Sequence, residues 1–406
     1  MSVLTYPLSM FVKYIIMDKD KYIKALHECH TLNVIFQLTD KCVMSCKYCF
    51  AKGTNDGKAS TFSDEVLEKV IKQSFETQHS YVTFEFTGGE AFLVGVDFYK
   101  KVIQYQKKYA NKGYDNCIQT SCYYMDEELV DFLIENNFGI STTIDGTREI
   151  HNQNRPANGD KKSYNTIIQN REQIISKGQS CGFITTVTKN NIGHEREILE
   201  SFRKLGCHAF HSNPYIYFSK NKVKDLSIAL SGDDWARYLI NEFNVWFDEG
   251  KVSPIPLTVD YMLQCLVSKR PSHNTICTYG GRCLTNFIAI IPNGDAYTCP
   301  KFTGSENMKL GNINDTSITE MLSVEYPKMQ DLINQRLQAF KKCEEKDCKY
   351  GYICNGGCPY HSFIASDGEN IAAQDCLCDA KIKVLDYIND VKDHILSVCN
   401  TDNKSL

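Results

Sequence analysis

The sequence predicts an α/β fold, a partial (β/α)6 barrel of the TIM type followed by a cysteine-rich extension of short β-hairpins and helices. Three observations predict it. Between about residues 32 and 218, short runs rich in β-branched and aromatic residues alternate with runs of helical apolar periodicity. This repeated βα rhythm implies a parallel sheet with outer helices. Several strand-like runs end in Gly, Asp or Asn, and after about residue 275 the texture changes to cysteine, glycine and short strands.

The expected strands are 32–39 (LNVIFQLT), 81–89 (YVTFEFTGG), 116–121 (NCIQTS), 138–145 (FGISTTID), 180–188 (SCGFITTVT) and 208–218 (HAFHSNPYIYF). Helices are expected over 64–77, 97–109, 126–137, 164–177 and 193–205. Ser63 with Asp64, and Asp126, suit helix starts, because a side-chain oxygen there accepts from a free amide. Residues 219–232 read as a polar connector and 234–250 as an amphipathic helix. A helical stretch near 317–341 and a final helix over 379–399 follow, with a frayed tail, NTDNKSL. A barrel places its chemistry at the C-terminal strand ends. There lie a cysteine triad, in KCVMSCKYCF (41–50), and TGGE (87–90).

Bulk composition narrows the function classes. With 42% hydrophobic and 23% charged residues the chain is an ordinary globular protein. A net charge of −4 gives no basic field for nucleic acid. No apolar run reaches membrane-spanning length and the N-terminus lacks a signal peptide, so the expected location is cytoplasmic, with neither nucleic acid nor membrane as partner. Nineteen cysteines, an odd number in a long unsignalled chain, point to metal rather than disulfides. Cys29, Cys117, Cys122, Cys181, Cys207, Cys265 and Cys399 stand alone and read as small hydrophobes.

Cys42, Cys46 and Cys49 form a C-x3-C-x2-C run directly after the first expected strand. Thiolates are soft donors suited to iron–sulfur clusters, which usually take four. Three would leave one iron open to a small molecule. A zinc site completed by a distant residue is the alternative reading of this spacing.

With these residues in this order, the sequence resembles the radical S-adenosylmethionine (radical SAM) superfamily, whose signature is CxxxCxxC with an aromatic before the last cysteine, here Tyr48. The resemblance implies a [4Fe–4S] cluster on Cys42, Cys46 and Cys49 whose open iron binds S-adenosylmethionine. Reductive cleavage then yields a 5′-deoxyadenosyl radical that abstracts a substrate hydrogen. It assigns Thr87, Gly88, Gly89 and Glu90 to the methionyl amino group, where glycines allow close approach. TTIDGTREIHNQNR (142–155) matches the segment whose hydroxyl and arginine reach the methionine carboxylate, here Thr143 and, twelve residues on, Arg155. Val187 is placed beside the adenine or in the core. In NCIQTSCYY (116–124), Ser121 and Cys122 replace the usual Asn and Gly.

Eight later cysteines are regularly spaced: Cys277, Cys283, Cys299, Cys343, Cys348, Cys354, Cys358 and Cys376. By count they make two four-cysteine sites, iron–sulfur clusters or zinc knuckles. IIPNGDAYTCP (290–300) and CNGGCP (354–359) resemble the SPASM extension of radical SAM peptide-modifying enzymes, which holds two auxiliary [4Fe–4S] clusters. Carried over by position, Cys277, Cys283, Cys299 and Cys358 would hold the nearer cluster. Cys343, Cys348, Cys354 and Cys376 would hold the outer one, with Cys378 close enough to compete. The implied organisation is an N-terminal segment (1–31), a radical SAM partial barrel (32–218), a helical bridge (219–275), a SPASM domain (276–380) and a C-terminal helix and tail (381–406).

Three clusters in all imply a radical oxidoreductase that modifies a peptide, supplied with electrons by a flavodoxin- or ferredoxin-type donor. The expected reaction is oxidative crosslinking, through a thioether or C–C bond, of a ribosomally made precursor peptide. Only 41 residues precede Cys42, too few for a leader-binding winged-helix domain, so the N-terminus also looks like that of the anaerobic sulfatase-maturating (formylglycine-forming) enzymes. In those an aspartate after the third auxiliary cysteine is implicated as a base, whereas this chain has Pro300 and Lys301, which places sulfatase maturation second. A non-catalytic zinc or iron–sulfur scaffold is the remaining reading; it gives no purpose to an open site, TGGE or Arg155. The catalytic residues are not assigned from sequence.

Overall fold

The computed structural model describes residues 18–51, 61–218, 225–270 and 276–402. Helix α1 (Lys19–His27), capped by Asp18 on the Lys21 amide, leads into strand β1 (Thr31–Gln37). Then follow α2 (Asp64–Phe75), β2 (Tyr81–Thr87), α3 (Val96–Tyr109), β3 (Gly113–Gln119), α4 (Glu127–Glu135) and β4 (Phe138–Thr143). The unit continues with α5 (Arg148–Asn154), α6 (Ser163–Ser176), β5 (Cys181–Val187) and α7 (Glu195–Lys204). Ser63 and Asp126 cap α2 and α4 through the Val66 and Leu129 amides, as the sequence requires.

The strands pair in chain order, β1 through β5, all parallel. Residue alternation explains the burial: in β2, Val82, Phe84 and Phe86 are fully buried, whereas Thr83, Glu85 and Thr87 are not. One face of the strand therefore packs on helices and the other lines the interior of the curved sheet. Phe36 stacks on Phe86 at 5.1 Å, and Phe86 meets Phe138 at 5.8 Å, tying β1, β2 and β4 into one core.

The sixth expected strand, 208–218, is broken. β6 (Ala209–Phe210) pairs with β8 (Ile255–Pro256), while β7 (Ser212–Pro214) closes the main sheet against β5. The pairing runs on to the Tyr215 amide, which donates to the Val187 carbonyl at 2.9 Å; Pro214 sits where its missing amide costs the ladder no bond. Helices α8 (Gly232–Asp248) and α9 (Leu257–Ser268) bridge to the C-terminal region. α8 starts from a reciprocal cap between Ser231 and Asp234.

The C-terminal region continues the same sheet. A short helix α10 (Cys277–Gly280) precedes the hairpin β9 (Phe287–Ile290) and β10 (Asp295–Tyr297), followed by β11 (Lys309–Asn312). β9 lies parallel to β1, giving the order β11-β10-β9-β1-β2-β3-β4-β5-β7. The helical stretch expected near 317–341 is two helices, α11 (Ile318–Met321) and α12 (Pro327–Glu345), divided where Pro327 opens a new first turn. Short helices α13 (Gly351–Cys354) and α14 (Pro359–Ala365) lead to α15 (Cys378–Asp402), which packs on α8 and α9. The last expected tail residues lie outside the described residues. Among the described residues no helix is long and apolar enough to cross a membrane.

Candidate active site

The loop after β1 is held from two sides. The Ser45 and Lys47 amides donate to Pro156 and Asn154 carbonyls at 2.7 and 2.9 Å, and Asn158 returns a bond to Val43 at 2.8 Å. This pins the cysteine loop to the segment that follows α5. On its other side the Gly89 amide donates to the Thr39 carbonyl at 2.6 Å and the Glu90 amide to Lys41 at 2.8 Å. A Cβ on Gly89 would lie 2.1 Å from the Lys41 oxygen, and Gly88 takes φ +130°, so only glycine fits this approach.

Cys42, Cys46 and Cys49 lie within electrostatic reach of one another. Burial pushes the Cys42 thiol up to about 11 and the Cys46 thiol up to about 12. Thiolate ligation there would release protons.

Arg155 sits beside this triad, 7% exposed. Its Nη1 donates to the Tyr48 hydroxyl at 2.9 Å, and that hydroxyl donates to Asp145 Oδ2 at 2.6 Å. Asp145 Oδ1 accepts from the Thr186 amide at 3.0 Å, fixing the chain of bonds to β5. Burial alone would pull the guanidinium down, but Cys46, Tyr48 and Asp145 hold its pKa well up, so it stays charged. Its buried Nε has no protein partner among the described residues, which leaves a donor for an incoming carboxylate. Thr143, at the end of β4, accepts from Gln119 Nε2 at 3.2 Å. The structure thus gathers Tyr48, Gly88, Gly89, Thr143 and Arg155 around the strand ends. Thr87 ends β2 on the interior face.

Of the two places expected for Val187 it takes the core, fully buried with Ile198 and Phe202. Glu90 turns its carboxylate away from the glycine loop: Oε1 accepts from the Phe92 amide at 3.1 Å and from Thr120 at 2.5 Å. Oε2 accepts from both the amide and the hydroxyl of Ser121. Glu90 therefore ties the ends of β2 and β3 together, and the loop offers a ligand its backbone. Asp145, which positions Tyr48, was missed in sequence although it is the aspartate of the quoted IDG.

The later thiols form two sets. Burial, then Cys277, Cys358 and Cys299, hold the Cys283 thiol well up. Burial together with Cys354, Cys343 and Cys348 pushes Cys378 up to about 12. The exposed Cys376 instead feels Cys358, of the first set. Exposed side-chain ion pairs, Lys346 with Asp379 at 3.2 Å and Lys349 with Asp386 at 2.8 Å, join α15, with Cys378 at its first position, to the segment around Cys348. Cys378, the competitor that spacing offered to Cys376, is thus the thiol on which Cys343, Cys348 and Cys354 act. Among the described residues no three His, Cys, Asp or Glu side chains converge tightly enough for a single metal ion. Open sets of soft donors fit clusters.

Residues 36–211 match the radical SAM superfamily model, and residues 277–349 match the SPASM model, an iron–sulfur cluster-binding domain. The serine-type anaerobic sulfatase-maturating enzyme of Bacteroides thetaiotaomicron is 28% identical over 350 residues, covering 81% of this chain and 82% of that protein. The cysteine-type anaerobic sulfatase-maturating enzyme of Clostridium perfringens is 26% identical over 326 residues, covering 78% and 85%. Among solved structures, native anSMEcpe with bound AdoMet and Cp18Cys peptide superposes with a TM-score of 0.77 at 23% identity, covering 91% of this chain and 99% of that one.

Proposed function

We propose, for a chain that is a radical SAM enzyme carrying a SPASM domain, that it oxidises a serine or cysteine side chain of a polypeptide substrate to an aldehyde, as a sulfatase-maturating enzyme. The observation that carries this reading is the shared name of the curated relatives, serine-type and cysteine-type alike, along about four-fifths of the chain. It reverses the order expected from Pro300, which had put crosslinking first.

Cys42, Cys46 and Cys49 would hold the first cluster. Arg155, fixed by Tyr48 and Asp145, would take the carboxylate of S-adenosylmethionine, with Thr143 and the backbone of Gly88 and Gly89 beside it. Bound there, cluster and S-adenosylmethionine would supply a 5′-deoxyadenosyl radical that takes a hydrogen atom from the substrate Cβ. Cys277, Cys283, Cys299 and Cys358 would hold one auxiliary cluster, and Cys343, Cys348, Cys354 and Cys378 the other. An electron donor of the flavodoxin or ferredoxin type, met in the cytoplasm, completes the reading.

After hydrogen loss the substrate carbon must give up an electron, for which the auxiliary clusters would be the acceptors, and its hydroxyl or thiol a proton. Pro300 brings no carboxylate to the loop after Cys299; its carbonyl accepts from Gln37 Nε2 at 3.1 Å. Glu85 is the carboxyl we assign to the proton. It lies on the interior face of β2, between Ile35 of β1 and Cys117 of β3 in register, and burial alone raises its pKa from the ordinary value. Serine thereby becomes the aldehyde directly. Cysteine becomes a thioaldehyde, which water converts to the aldehyde with release of hydrogen sulfide.

The test is anaerobic turnover of sulfatase-type peptides carrying a single serine or cysteine, with capture of the product by a hydrazine. A captured product supports aldehyde formation. Loss of two hydrogens without capture would instead indicate a crosslink.

A further inference from the structure

Between the two later thiol sets lies a buried charged group that ligation does not use. Asp375 and Lys381 are 4% and 2% exposed, and His361 is 2% exposed. Lys381 Nζ donates to Asp375 Oδ2 and to the Thr278 carbonyl, each at 2.8 Å. Its remaining side faces the Tyr279 ring, 4.3 Å from the centroid. Asp375 Oδ2 also accepts from the Cys358 amide at 2.9 Å, and Oδ1 lies 3.2 Å from His361 Nδ1.

These contacts place one ammonium between the sets. Thr278 follows Cys277, and Cys358 belongs to the same set. On the other side Lys381 stands three residues after Cys378 on α15, hence on the same helix face. Removing two charges from water costs several kcal/mol, and an apolar pair of similar volume is often as stable. Stability alone therefore does not account for the pair.

Resting on the reading that both sets hold [4Fe–4S] clusters, we propose that Lys381 is a positioning residue for electron transfer: its fixed positive charge raises the reduction potentials of both auxiliary clusters, and Asp375 anchors it while partly offsetting it. Reduction adds one negative charge to a thiolate-ligated cluster, and a nearby cation in a medium of low dielectric favours the more negative form.

The experiment is an EPR-monitored redox titration of the reconstituted full-length holoenzyme, taking as auxiliary the signals that do not change with S-adenosylmethionine. Lys381→Met is expected to shift the auxiliary midpoints negative, Asp375→Asn to shift them positive, and Lys381→Arg to leave them near wild type. Shifts of the same sign in Lys381→Met and Asp375→Asn, or unchanged midpoints at full iron content, overturn the proposal while leaving the cluster assignment intact. If Lys381→Met loses iron, Asp375→Asn and Lys381→Arg decide. A positive shift in the first with retention in the second supports the proposal, and any other pair overturns it. A wild-type protein lacking iron and sulfide beyond one cluster would instead remove the reading on which the proposal rests.

Discussion

Arg155 Nη1 lies 2.9 Å from the hydroxyl of Tyr48, the residue before the last cysteine of the triad. The signature aromatic is therefore the partner that aims the arginine, and Asp145 holds the aromatic. Arg155→Lys keeps a charge but loses the planar fork. Losing one charge-assisted hydrogen bond costs roughly 1.5–3 kcal/mol, so S-adenosylmethionine affinity should fall about tenfold to a hundredfold. Equilibrium dialysis checks this, with iron content unchanged. Undiminished affinity would remove Arg155 from the site.

Glu90 should behave as a structural residue. Its carboxylate serves the Phe92 and Ser121 amides and the Thr120 hydroxyl, all buried. Glu90→Ala strands these donors at about 1–3 kcal/mol each, so thermal unfolding should move to lower temperature. A variant as stable as wild type yet unable to bind S-adenosylmethionine would mean that the side chain acts on the ligand instead.

Much of this was legible in the sequence. β1 to β5 followed from short runs rich in β-branched and aromatic residues set between stretches of helical periodicity. The caps Ser63 and Asp126 were readable for the same local reason. The split of the sixth strand was not, since His208–Phe218 reads as one β-rich run and only the pairing of Ala209–Phe210 with Ile255–Pro256 divides it. α1 and α5 went unseen although Asp18 and Thr147 cap them, and α9 has no side-chain cap to mark its start. Spacing also could not show that Glu90 points to Ser121, a contact made by two strand ends distant in sequence.

The same limit applied to the outer thiol set. Cys376 fits the spacing, whereas Cys343, Cys348 and Cys354 act electrostatically on Cys378, a relation that spacing cannot show. Cys378→Ala should lower iron by about four per chain, one cubane, whereas Cys376→Ala should keep full iron. Iron and sulfide analysis reads the difference, and the reverse pattern would restore the assignment made from spacing.

Glu85 separates radical formation from product. Glu85→Gln should still release 5′-deoxyadenosine, but aldehyde formation should fall by about 10²–10⁴-fold, the usual contribution of a positioned base. Burial raises this carboxyl, and only the deprotonated form accepts a proton. The wild-type aldehyde rate should therefore climb as pH rises through that raised value, and the variant should lose the climb. Equal aldehyde yield in both proteins would exclude Glu85 as the acceptor.

The most direct measurement of the central claim is isotope transfer. A sulfatase-type peptide deuterated at the Cβ of its single serine or cysteine is turned over anaerobically, and the nucleoside product is weighed by mass spectrometry. The account predicts deuterium in 5′-deoxyadenosine, with an aldehyde at the labelled residue and none of either from Cys46→Ala. Unlabelled 5′-deoxyadenosine beside a modified peptide would contradict it, because the hydrogen would then have come from another carbon.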